Sequence, residues 1–202
     1  MLKKNILGAC LALFATATGV MAEDKLSLSA ISDYLNDLST ARTPFTQYND
    51  DGSRSTGTLY IKRPGRMRFE YEPPNSGLVL AGGGTVIIQD TKSNQPPETY
   101  PLKRTPLSLI LARKVDLGRA NMVVGHGHDG TFTIVRAQDP ENPDSGFIDL
   151  KFSDDPVALR QWVITNDQGI RTAVVLDELT TGLSLSDNLF STEAQRTSGR
   201  DR

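Results

Sequence analysis

The sequence predicts a mainly β (α+β) fold: a curved antiparallel sheet with one apolar face, covered by two apolar helices. Short runs alternate apolar and polar residues with period two and are separated by turn signals. Only two stretches carry helical spacing, and neither sits between strands in a regular βαβ rhythm, which argues against a parallel sheet. In the clearest hairpin, Gly57–Pro74, Leu59 and Ile61 share one face of the first strand, and Met67, Phe69 and Tyr71 share one face of the second.

The beginning of the chain is an address rather than part of the fold. Lys3 and Lys4 form a basic patch, Ile6 to Val20 is an apolar run too short to span a bilayer comfortably, and Val20-Met21-Ala22 suits cleavage before Glu23. Residues 1–22 are therefore expected to be a signal peptide and residues 23–202 a single exported domain. Leu7-Gly8-Ala9-Cys10 also resembles a lipobox. Cleavage there would leave half the apolar run on the mature chain, so a lipid anchor on Cys10 is the lesser alternative.

The chain has 202 residues, with 22 Lys and Arg against 24 Asp and Glu. Loss of Lys3 and Lys4 makes it more acidic, which argues against a general nucleic-acid binder. Cys10 is the only cysteine, so the mature chain has no disulfide, thiol catalysis or thiolate metal site.

Taken in order, Leu26–Leu38 reads as a first helix. Ser27 or Ser29 can cap it, and Leu28, Ile31, Leu35 and Leu38 recur at helical spacing. Pro44–Tyr48 is a first strand and Asn49–Gly52 a turn. In the hairpin that follows, Leu59, Ile61 and Arg63 share one face, as do Met67, Phe69 and Tyr71 after the Pro64-Gly65 turn. Arg63 is out of place there. It either snorkels out at the strand end or reaches across an apolar interior to a partner.

Leu78–Ala81 and Thr85–Asp90 are strands joined by Gly82-Gly83-Gly84. A phosphate-loop reading is weak, since no lysine-serine/threonine follows the glycines and no helix opens there; a loose hairpin turn is enough. Thr91–Pro97 is a loop and Glu98–Leu102 a brief pairing segment. Thr105 is expected to cap a second helix with Pro106 at its first position; Leu107, Leu109, Ile110 and Leu111 follow, with Arg113 and Lys114 near its C-terminus. Such a helix, apolar on nearly all sides, suits a greasy cavity. The rest is strands: Asn121–His126 and Thr131–Ala137 around Gly127–Gly130, then Gly146–Phe152, Leu159–Thr165 and Ile170–Leu176. Leu183–Phe190 is a last strand or an irregular closing segment, and Thr192–Arg202 a polar tail. The expected count is about ten strands in meander order.

No catalytic signature emerges. His126-x-His128 is read as a pair of solvated turn histidines, with Asp129 the only carboxylate at hand; no metal or cofactor is expected. Asp154-Asp155 and Asp177-Glu178 are adjacent in sequence and would diverge on strands. An enzyme acting on a lipid remains the least favoured reading.

The order Gly57-x-Leu59-x-Ile61-Lys62-Arg63-Pro64, Arg66-x-Arg68-Phe69-x-Tyr71-x-x-Pro74, a strand–glycine–strand unit and then Thr105-Pro106-Leu107 resembles the periplasmic outer-membrane lipoprotein carrier family, LolA. The resemblance runs from the Leu28 helix to Asp187-Asn188-Leu189-Phe190. It implies an incomplete, open β-barrel lidded by two or three short helices over an apolar cavity. It implies a monomeric carrier that takes acylated lipoproteins from an inner-membrane ABC transporter to an outer-membrane receptor. It also implies that Arg63 hydrogen-bonds the lid and holds it closed. The expected cavity residues are Leu59, Ile61, Met67, Phe69, Leu107, Ile110 and Leu111. Family members offer aromatics after the third glycine, where this chain has Thr85-Val86-Ile87-Ile88. A related half-barrel module, such as a lipoprotein receptor or a carrier or sensor of another lipid, is the alternative.

Overall fold

Residues 25–75, 77–90 and 95–192 are described by a computed structural model. The segment read as a signal peptide, with Cys10, part of the Thr91–Pro97 loop and the tail from residue 193 on lie outside the described residues.

The first helix, α1 (Leu28–Asp37), is capped by Ser27, whose Oγ accepts the Ala30 N–H at 3.0 Å. Its apolar stripe buries Ile31 and Leu35 completely. The strands are β1 (Thr40–Tyr48), β2 (Arg54–Lys62), β3 (Arg66–Tyr71), β4 (Gly77–Gly82), β5 (Thr85–Asp90) and β6 (Glu98–Pro101). After the short helix α2 (Leu107–Leu111) come β7 (Val123–His128), β8 (Thr133–Ala137), β9 (Gly146–Asp154), β10 (Val157–Asn166), β11 (Arg171–Leu176) and β12 (Thr180–Thr181).

These strands form a single 12-stranded antiparallel sheet in the order β6-β5-β4-β3-β2-β1-β11-β10-β9-β8-β7, with β12 also pairing β1. Twelve replaces the expected ten, because the brief Glu98–Leu102 pairing forms a strand, β6, and β12 is too short to show a period. The order is not one meander but two, β1 to β6 and β7 to β11, joined where β1 meets β11. β6 and β7 end the path without pairing to each other, so the sheet curls without closing.

Alternation places the core. On β1, β2 and β3 the inward rows are Ala41–Ile61–Met67, then Thr43–Leu59–Phe69, then Phe45–Gly57–Tyr71. Gly57 is a glycine for a physical reason: a Cβ there would strike the Glu70 carbonyl and the Phe45 ring. Phe45 packs edge-on to both Phe69 and Tyr71, and Phe69 edge-on to Trp162. The outward face of the first meander is also covered. The closing segment runs back over it as an irregular stretch with a 3-10 turn at Asp187–Phe190, and Phe190 packs on Leu78 and Leu80. There Lys62 and Arg66 both bridge Asp187, whose carboxyl is held below the usual carboxylate range chiefly by the Lys62 contact.

Candidate functional site

Two helices and a loop close one end of the concave face. α1 lies against β10: the Leu159 N–H donates to the Tyr34 hydroxyl at 3.2 Å, and the Tyr34 ring packs edge-on to Phe152. α2 is a single turn. Pro106 occupies the N-cap position expected for Thr105, whose hydroxyl instead donates to the Leu102 carbonyl at 2.9 Å. That contact, closing the preceding turn, outcompetes capping. The helix stops at Leu111, which leaves Arg113 and Lys114 beyond it.

The segment after α2 is braced to α1. Asn36 Nδ2 donates to the Val115 carbonyl at 2.9 Å while the Val115 N–H donates to Asn36 Oδ1 at 2.8 Å. The Leu117 N–H donates to Ser32 Oγ at 3.0 Å.

Arg63 is the point where these pieces meet. Of the two options left open by its parity, it reaches across. One terminal nitrogen donates to the Leu38 carbonyl at 3.2 Å and the other to the Ala112 carbonyl at 2.6 Å. Leu38 and Ala112 are the C-caps of α1 and α2, so one guanidinium ties both helix ends, where the orphan carbonyls carry partial negative charge. The backbone adds to it: Arg63 N–H donates to Ser39 and Gly65 N–H to Leu111, each at 2.8 Å. Burial pulls the guanidinium below the usual arginine range, and its Nε is buried with no partner among the described residues.

The other end of the concave face is open. A cleft of about 620 Å³ lies there, walled on one side by Phe69, Val79, Val86 and Leu107 and on the other by Ile148, Trp162 and Val174. Its rim is apolar and unfinished: Ile88, Tyr100 and Ile164 are 41%, 44% and 44% exposed, although each lines the cleft. Gln47, Tyr71 and Thr172 add polar groups.

Of the seven cavity residues expected from the sequence, Phe69 and Leu107 line this cleft. Leu59, Ile61, Met67, Ile110 and Leu111 are buried in the core beneath the helices, at the Arg63 end. The cross-strand rows explain the split, since the cleft begins only at the level of Phe69 and Tyr71. Gln47 and Trp162 were not singled out as lining residues. Gln47 left a signal, an inward polar position two residues beyond buried Phe45 at a strand end.

The histidines differ from expectation. Both lie on β7, because the turn is displaced to residues 129–132. His126 Nε2 donates to the Leu26 carbonyl at 2.8 Å, and His128 Nε2 lies 3.3 Å from Asp154 Oδ2. Asp154, not Asp129, is thus the carboxylate at hand; Asp129 pairs with Lys151. No group of three potential metal ligands occurs among the described residues.

The family description of the outer membrane lipoprotein carrier protein LolA matches residues 36–193. The chain belongs to the LolA family. Among its relatives, the outer-membrane lipoprotein carrier protein of Chromohalobacter salexigens is 27% identical over 201 residues, covering 93% of this chain and 90% of that one. That of Coxiella burnetii is 24% identical over 198 residues, covering 89% and 88%. Among solved structures, a LolA superfamily protein from Nitrosomonas europaea is 7% identical and superposes with a TM-score of 0.43 over 84% of this chain and 99% of the other. The LolA family is one of carriers, not of enzymes. No helix among the described residues is long and apolar enough to cross a membrane.

Proposed function

We propose that this protein is a periplasmic carrier that shelters the acyl chains of lipoproteins between an inner-membrane ABC transporter and an outer-membrane receptor. The single observation that carries the reading is Arg63, which holds the ends of both covering helices beside an apolar cleft. Residues 23–202 act as one domain, and cleavage after Ala22 frees it.

The energetics favour a latch. Burying an acyl chain is worth about 0.8 kcal/mol per methylene, so a chain of about sixteen carbons gives on the order of 12 kcal/mol. Several such chains would approach the limit of non-covalent affinity and never leave. Opening the helix end breaks the Arg63 contacts, each worth about 1.5–3 kcal/mol, and so offsets part of that gain. In this proposal Leu59, Ile61, Met67, Ile110 and Leu111 form the part of the cavity that opens, and Phe69 and Leu107 the part already exposed.

Spheroplasts making labelled lipoproteins test it. Added protein should bring the label into solution as a one-to-one complex. Label that stays on the inner membrane overturns the carrier reading.

A further inference from the structure

The cleft is amphipathic along its depth. Its walls are apolar, while the mouth carries Gln47 and Tyr71 on neighbouring inward positions. The Tyr71 hydroxyl donates to Gln47 Oε1 at 2.7 Å, and Gln47 Nε2 donates to Asn49 Oδ1 at 2.8 Å. Burial pushes the Tyr71 phenol up to about 12, so it keeps its proton and commits it to Gln47. The pair then presents an oxygen lone pair and one spare amide N–H.

Charge at the mouth is already matched. Among the described lining residues Arg104 is the only cation, and Glu141 engages it at 2.7 Å, with Asp139 also lining the cleft. An anionic head entering there would lose water and meet no unpaired positive charge among those residues.

We propose that the resting cleft admits an acyl chain only when it is carried by an uncharged hydrogen-bonding head such as an ester or amide, not by a free carboxylate. The choice of acyl ligands rests on the carrier reading above.

Trp162, the sole tryptophan, stands in the cleft wall and reports occupancy by its fluorescence. The protein, purified as the cell processes it, is titrated with monopalmitoylglycerol and, separately, with ionised palmitate, and complexes are counted by native mass spectrometry. The expected result is saturable binding of monopalmitoylglycerol, with palmitate at least about tenfold weaker. Tyr71→Phe should weaken monopalmitoylglycerol about three- to tenfold and leave hexadecane binding unchanged. Equal affinity for palmitate, or no binding of monopalmitoylglycerol, overturns the proposal. Protein that mobilises lipoprotein yet fails these titrations keeps the carrier reading and loses this one. Protein that shows the selectivity but mobilises no lipoprotein does the reverse.

Discussion

The two ends of one concave face use the same strands and the same alternation, yet behave as different materials. At the Arg63 end, the inward row Ala41–Ile61–Met67 lies under both helices and is buried to within 1%. Two strand residues beyond Phe45, the inward position is Gln47, and the nearby apolar side chains Ile164 and Ile88 stand more than two-fifths exposed. Apolar alternation alone therefore specifies neither core nor cleft. What lies over the face decides, and here the cover is two helices, a braced loop and one arginine.

The largest effect that would break this contrast is expected from Arg63→Leu. The variant should fold and accept lipoprotein, but delivery to receptor-containing membranes should fall more than about tenfold, since two charge-assisted bonds no longer oppose retention. Normal delivery would mean that the helix end plays no part in release.

Stability should separate the ends next. Ile110, fully buried under the cover, should lose about 2–5 kcal/mol on substitution by alanine. Leu107, half-buried on the cleft wall, should lose under about 1.5 kcal/mol. Equal losses in urea melts would show the two ends to be one core.

The smallest effect is alkaline. Tyr71 ionises at about 12 in the folded protein against an ordinary 10.0, so its contribution is fully present below pH 10.0. It is lost as pH rises through about 12, because the unfolded state gives up the proton first. Tyr71→Phe should flatten that limb of the melting profile. An unchanged limb would place Tyr71 in water, not at a shielded mouth.

Much of this was legible in the chain. The hairpin register, the inward parity of Arg63 and the apolar stripe of α1 follow from periods of two and 3.6. The histidines show where local reading stops. Glycines at 127 and 130 suggested a turn around His128, but pairing with β8 extends the strand through it. Thr105 shows the same limit at a helix end, since a cap position depends on which carbonyl lies nearest.

By itself the sequence determined which residues face inward, because alternation is a property of the backbone, and it singled out Arg63 as a charge on an apolar face. Only the tertiary structure decided what Arg63 grips and where the cavity lies. The Leu38 and Ala112 carbonyls lie 25 and 49 residues away along the chain, and β1 meets β11 across more than a hundred. Such contacts depend on how the sheet curls as a whole, and no local period records that.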